Sequence, residues 1–159
     1  MRQDDRTELI AEFLQSFGTM VRGMNALFGR ELESYGVTWP QFHLMKVVKR
    51  SPRITVTELS NSLLVAAPTA SRMIEGLCSK GLLTKEKDAV DHRVILVRLT
   101  PKSSSLLDRL LELQNEVART AFSEEDTKDL EKVVESLGRV AGKLHDTAES
   151  KVRKGVANE

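Results

Sequence analysis

Residues 56–100 are punctuated so tightly that few chain paths remain open to them. Thr55 precedes Glu58 by three residues, the spacing at which a hydroxyl and a carboxylate cap a helix start reciprocally, and either Thr55 or Thr57 suits that role. Leu59, Leu63 and Leu64 give this first helix a packing side. After Val65 the chain turns without a glycine. Pro68 stands where a first-turn proline is tolerated, because the amide it lacks would have had no helical partner. Met73, Ile74 and Leu77 predict the buried side of a second helix, and Gly81 supplies the left-handed stop behind it. Two short alternating runs, 83–87 and 94–99, flank Asp88-Ala-Val-Asp-His-Arg93 and predict an antiparallel hairpin with a charged tip. Thr100-Pro101 then restarts a helix, a hydroxyl cap followed by proline at the first helical position.

Helix, turn, helix and hairpin in that order make a winged helix-turn-helix, expected over residues 37–100 with a leading helix opened by Trp39-Pro40 and closed by Ser51-Pro52. Phe42, Met45 and Val48 face inward on that leading helix. Long helices are expected on either side, over 5–35 and 101–150, so the fold class is mainly α with a small β wing and the chain 1–159 is a single domain. In the first long helix Ile10, Phe13, Leu14, Phe17, Met20, Val21, Met24, Leu27, Phe28 and Leu32 cover more than a narrow stripe. Such a helix must be buried on two sides, by its own domain and by a second subunit. Gly36 ends it. In the last third, Leu106, Leu110, Leu113 and Val117 line one helix to about residue 120. A final helix is expected to begin after Ser123, with Glu124, Glu125 and Asp126 in its first turn, and to reach about Ala148. Too little chain accompanies these two helices to cover them, so a twofold mate is expected, and residues 151–159 are expected to form a flexible tail.

The net charge of +1 argues by itself against a polyanion as partner, but the charge is unevenly placed. From Lys46 to Lys102 there are 11 Lys and Arg against 5 Asp and Glu, a surplus of six; the other residues hold 13 basic and 18 acidic groups, a deficit of five. A positive centre between acidic ends aims one face at a polyanion and keeps the frame soluble. No run of about 18 apolar residues and no signal peptide is present, so a cytoplasmic protein without a membrane partner is expected. The one cysteine, Cys78, precludes an intrachain disulfide.

These residues resemble the MarR family of bacterial and archaeal transcriptional regulators over nearly the whole chain. The resemblance rests on Gly81-Leu82 after the second helix, Asp91-x-Arg93 before a strand ending in Leu99-Thr100, Leu59 with Val65, Ser71-Arg72, and Trp39-Pro40-Gln41-Phe42. It implies an obligate homodimer whose first and last two helices interlock, with two winged modules on one face of an inverted-repeat operator in double-stranded DNA. It further implies that the helix from Pro68 enters the major groove, that Arg93 at the wing tip reaches the minor groove, and that Asp91 orients that wing. Many such proteins are repressors that release DNA when a small aromatic or anionic effector binds. One departure stands out: Ala66-Ala67 replaces the hydroxyl cap common ahead of the recognition helix, a loss of about 1 kcal/mol that helix amides bonding phosphate can offset.

The residues expected to bind DNA are therefore Pro68, Thr69, Ser71 and Arg72 on the recognition helix, Thr57 and Asn61 on the helix before it, and Asp91, Arg93, Lys85, Lys87 and Arg98 on the wing. Arg72 suits either a guanine edge or a phosphate, whereas Lys85, Lys87 and Arg98 add counterion release without sequence information. Lys46, Lys49, Arg50 and Arg53 are more remote, and a solvated helix end and turn suits them at least as well as a contact to the DNA backbone. Met24, Phe28, Trp39, Phe42 and His43 are candidate walls of an effector pocket, against their ordinary role as core. His43, His92 and His145 lie on separate elements, so no metal is expected, and neither a cofactor motif nor a nucleophile, base and acid can be named for an enzyme. Cys78, four residues after Ile74, reads as packing; similar peroxide sensors carry their thiol in the first helix, which has none here. The alternative is a winged-helix protein-interaction scaffold that has lost operator binding.

Overall fold

The structure, a computed structural model, describes residues 3–156, with side chains over 5–150. Its elements run α1 (Gln3–Ser34), α2 (Trp39–Arg50), β1 (Ile54–Thr55), α3 (Val56–Ser62), α4 (Ala67–Ser79), β2 (Leu83–Lys87), β3 (Ile95–Leu99), α5 (Pro101–Ala121) and α6 (Thr127–Val156). They form two compact units, Met1–Trp39 and Pro40–Glu159.

The first unit is α1 and its exit. Gly36 takes φ 62, the Gly36 amide donates to the Glu33 carbonyl at 2.8 Å, and the Val37 amide donates to the Leu32 carbonyl at 2.9 Å. These two bonds close the helix end in a left-handed turn, with Leu32 and Val37 both buried as the apolar pair such an end requires. Phe28 is buried and its ring meets Trp39 edge-on at 5.9 Å. Leu9, Ile10, Phe13, Leu14, Phe17, Met20, Val21 and Leu27 remain exposed. Phe13 and Phe17 stack on each other at 6.0 Å on this bare face.

In the second unit the core is drawn from Phe42, Leu44, Met45 and Val48 of α2, Leu59 of α3, Ala70, Ile74 and Leu77 of α4, Leu96 and Val97 of β3, and Leu106, Leu107 and Leu110 of α5. Met73, expected inside, is half-buried, and the smaller Ala70 takes the inner position. The expected capping box is present: Thr55 Oγ1 accepts the Glu58 amide at 3.2 Å, and Glu58 accepts the Thr55 amide at 2.8 Å. Thr57 therefore lies inside the first turn.

The sheet has the order β1-β3-β2 and is antiparallel throughout, with Ile54 opposite Val97 and Leu83 opposite Leu99. A third strand of two residues is too short to show alternation, which is why β1 has no periodic signal in the sequence. Its presence makes β3 central, so Leu96 and Val97, on opposite faces, are both buried. β2 is the edge, and four of its five residues are exposed and mostly charged, which discourages further strand pairing.

The last helix starts later than the sequence suggests. Asp126 is its cap, accepting the Lys128 amide at 2.7 Å, while Glu124 and Glu125 precede the helix instead of forming its first turn. The competition between three consecutive acidic residues is decided by Asp126, whose short side chain reaches the backbone. The helical backbone continues to Val156; side chains from residue 151 and residues 157–159 of the expected tail lie outside the described residues. Val133, Val134, Val140 and Leu144 of α6 are exposed.

Candidate nucleic-acid interface

The turn between α3 and α4 is made without glycine by Leu64, which takes φ 53. The Leu64 amide donates to the Asn61 carbonyl and the Val65 amide to the Ser60 carbonyl, each at 3.1 Å, so α3 ends as α1 does but with a side chain in the left-handed region. That conformation costs a non-glycine residue about 1–2 kcal/mol. The hydrogen bonds and the partial burial of Leu63, Leu64 and Val65 hold it in place.

The turn delivers Ala66 in an extended conformation at the start of α4, with no side-chain cap and with Pro68 in the first turn. Ala70, Ile74 and Leu77 fix one side of α4 in the core. Pro68 and Arg72 are thereby exposed, and Thr69 and Ser71 are half-exposed beside them. Arg72 Nε donates weakly back to the Pro68 carbonyl at 3.4 Å. Thr57 and Asn61 are exposed on α3.

The far end of α4 is closed by Gly81 at φ 67, whose amide donates to Cys78 while the Leu82 amide donates to Leu77, both at 2.9 Å. Leu82 and Leu83 are buried there and fix where β2 departs. Thr100, at the end of the returning strand, donates its hydroxyl to the Gly81 carbonyl at 3.0 Å and accepts the Ser103 amide at 3.1 Å as the cap of α5. Both ends of the hairpin are thus tied to the end of α4.

At the tip, Asp91 Oδ1 accepts the Arg93 amide at 3.0 Å and its carbonyl accepts the Val94 amide at 2.9 Å, a local turn that fixes the backbone at Arg93. Asp88, buried behind the tip, accepts the amides of Val90 and Asp91 at 2.9 and 3.1 Å and pairs with Arg53. Those two amides, with Arg53 and His92 nearby, hold the Asp88 carboxyl below the usual aspartate range. Asp88 and Arg53 were not singled out from the sequence as working residues. The two-residue offset from Asp88 to Val90 is an Asx-turn spacing legible in sequence, whereas a partner 35 residues upstream leaves no local signal.

The cationic candidates divide into two sets. Lys85 lies 3.6 Å from Glu75 of α4. Arg98 Nε lies 2.7 Å from Glu86, an ion pair by proximity whose N–H is not aimed along the contact. Arg72, Lys87 and Arg93 have no ion pair among the described residues, and all three are exposed. Two arms of the module, the outer face of α4 and the wing, therefore present unneutralised cations.

The candidate effector residues are distributed over both units. In the first, Met24 and Trp39 are half-buried and Phe28 is buried. In the second, Phe42 is buried with Lys46 Nζ 5.3 Å from its ring centre, and His43 lines a cavity of about 550 Å³ with Lys46, Arg50, Leu63, Val65 and Met73. Burial and then the neighbouring Lys46 push the His43 imidazole down from its ordinary value, and burial followed by Arg50 does the same to Lys46. Cys78 is partly covered, and that burial pushes its thiol up, away from the reactive thiolate.

The chain has clear relatives. Residues 37–95 match the sequence profile described as the MarR family. The chain is 23% identical over 147 residues to the HTH-type transcriptional regulator MgrA of Staphylococcus aureus, covering 91% of this chain and 98% of that one. Among solved structures, a MarR protein from Peptoclostridium difficile DA00132 superposes with a TM-score of 0.76 at 23% identity, over 86% of this chain and 89% of that one. A MepR–DNA complex from S. aureus superposes with a TM-score of 0.62 at 22% identity, over 80% and 96% of the two chains. The profile is seated on the helix pair and most of the wing just described, so residues 37–95 carry a winged helix-turn-helix of the MarR type.

Proposed function

We propose that this protein is a dimeric transcriptional regulator of the MarR family, a ligand-responsive repressor that binds an inverted-repeat operator in double-stranded DNA. The observation that carries this is the pairing of an exposed Arg72, with half-exposed Thr69 and Ser71 beside it on α4, with an exposed, unneutralised Arg93 at a braced wing tip. A helix of this kind fits the major groove, and an arginine on a hairpin fits a narrow minor groove, where it senses shape and potential. The relative MepR has been captured on DNA, which supports the same use of the fold here.

Dimerisation is supported by the bare apolar face of α1 and by Val133, Val134, Val140 and Leu144 of α6, a larger apolar exposure than a lone soluble chain ordinarily carries. Two recognition helices meet successive major grooves when their separation is about 34 to 36 Å. Ligand response is supported by the cavity under the α3–α4 turn. Lys46 and Arg50 offer positive charge, His43 a neutral imidazole, and Leu63, Val65 and Met73 apolar surface, a lining suited to a small anion with an apolar body. A ligand acts only through a difference in affinity between two states, and this cavity abuts the turn that aims α4.

The test is a polarisation titration against the DNA upstream of the gene. Wild type should bind with sequence preference and weaken steeply with salt. Arg72→Ala should lose about 1 to 3 kcal/mol and relax selectivity if the side chain pairs with a base edge. Arg93→Ala should weaken binding with less change in preference. If wild type shows no preference at physiological salt and both variants match it, the interaction-scaffold alternative replaces the regulator.

A further inference from the structure

Arg93 stands on a loop of seven residues, 88–94, between β2 and β3. A loop of that length left to itself samples many conformations, and fixing each residue costs backbone entropy. If the ordering occurred on DNA, it would be subtracted from the affinity. Here the ordering is already built in, and it does not come from the wing alone. Asp88 Oδ1 holds the amides of Val90 and Asp91, Asp91 Oδ1 holds the amide of Arg93, and Asp88 Oδ2 meets the guanidinium of Arg53. Arg53 belongs to the connection between α2 and β1, directly before the strand that pairs with β3. The chain of contacts therefore runs from the body of the module, through one carboxylate, to the backbone of the tip arginine.

We propose that Arg53 and Asp88 are positioning residues for Arg93: the Arg53–Asp88 pair fixes the pitch of the wing, and Arg53 does not itself neutralise a phosphate. This rests on the DNA-binding role proposed above. Two features of the pair support it. The Asp88 side chain is 10% exposed and that of Arg53 is 66% exposed, so the pair has one anchored and one solvated member, and the anchored one carries the wing amides. Asp88 is also the only carboxylate among the described residues that joins an arginine outside the wing to the amides of the tip. An arginine whose charge is already matched by a carboxylate releases little counterion on meeting DNA.

The two roles for Arg53 predict different numbers. The probe is a duplex selected by the wild-type full-length chain from a random-sequence pool, and the variants are Arg53→Ala, Asp88→Asn, Arg93→Ala and the Arg53→Ala/Arg93→Ala double. Arg53→Ala removes a mostly exposed side chain and Asp88→Asn keeps the amide-accepting oxygen, so both should fold. As positioning residues, Arg53 and Asp88 should each weaken binding about fivefold or more when changed. In the Arg93→Ala background Arg53→Ala should add less than about twofold and should not lower the salt slope further. Amide exchange in the free protein at fixed pH should speed up at Val90, Asp91 and Arg93 in Arg53→Ala and stay unchanged in α4. Losses that multiply in the double variant, with an extra drop in the salt slope of about 0.9, would make Arg53 a phosphate contact and overturn the proposal. Unchanged exchange at the tip in Arg53→Ala would overturn it as well. A wild-type chain that selects and binds no duplex would remove the DNA-binding role itself, a failure seen before any variant is compared.

Discussion

Among the described residues three occupy the left-handed region at helix ends, Gly36, Leu64 and Gly81, and only two of them are glycine. At Gly81 a Cβ would meet nothing within 4 Å, so substitution tests conformation alone. Gly81→Ala should cost about 1 kcal/mol, a fall in melting temperature of roughly 2–4 °C for a chain of this size, read by calorimetry. Asp88 gives a pH prediction at the same scale. Its folded carboxyl lies below its unfolded value, so the unfolded chain binds the proton more readily. The stabilisation is complete above about pH 4, near the ordinary aspartate pKa, and is lost as pH falls through the lower folded value. The groups facing Asp88 are Arg53 and His92. The Val90 and Asp91 amide chemical shifts should stay level between about pH 5 and 4 and move together below it; shifts that do not move below about pH 4 would rule out Asp88 as the titrating group. At this scale the sequence is partly transparent: Gly81, Thr55 and Thr100 act where local chemistry places them, whereas Leu64 is invisible because neighbours, and not its own preference, hold it left-handed.

Among the elements, α4 is the one whose local rule is broken. The sequence shows an alanine where a cap belongs, and the structure confirms that Ala66 caps nothing. Because Ala66 is exposed and extended, Ala66→Ser should raise stability by about 1 kcal/mol, seen as a shift in the urea midpoint without a change of slope. A fall in stability would mean that the amino end of α4 is already satisfied in some other way. The helices and the two hairpin strands were legible because their apolar periods are long or their ends are marked by glycine, proline and threonine. β1 was not, since two residues carry no period and the pairing that defines it comes from β3, some 40 residues on. The start of α6 was misplaced because three acidic residues in a row all satisfy the dipole, and only the reach of the Asp126 side chain separates them.

On the scale of the whole molecule, charge counted along the chain overstates the positive surface. Among the described residues at least four of the eleven cations between Lys46 and Lys102 are ion-paired: Lys49 with Asp108, Arg53 with Asp88, Lys85 with Glu75 and Arg98 with Glu86. Lys85 and Arg98, expected at the DNA, are therefore already matched by carboxylates, whereas Arg72, Lys87 and Arg93 have no ion pair among the described residues. Sequence reveals the sign of a segment but not which carboxylate folding brings to which cation, and the site is legible as a set of residue types more than as a working arrangement. The bare faces of α1 and α6 carry the expectation of a dimer. Phe13→Glu, placed on the exposed stack with Phe17, should leave the melting of the winged module unchanged and shift the sedimentation of a dimer toward monomer at micromolar concentration. A dimer that resists this change would have to be built on another surface.

Thr100 follows the returning strand, caps α5 and bonds the Gly81 carbonyl just past the end of α4, all with a single side chain. The consequence is mechanical: the start of α5 and the exit of α4 share one rivet, a single hydroxyl that fixes their spacing. Replacing that hydroxyl by a methyl, as in Thr100→Val, removes both bonds and should loosen the joint, read as faster exchange of the Ser103 amide.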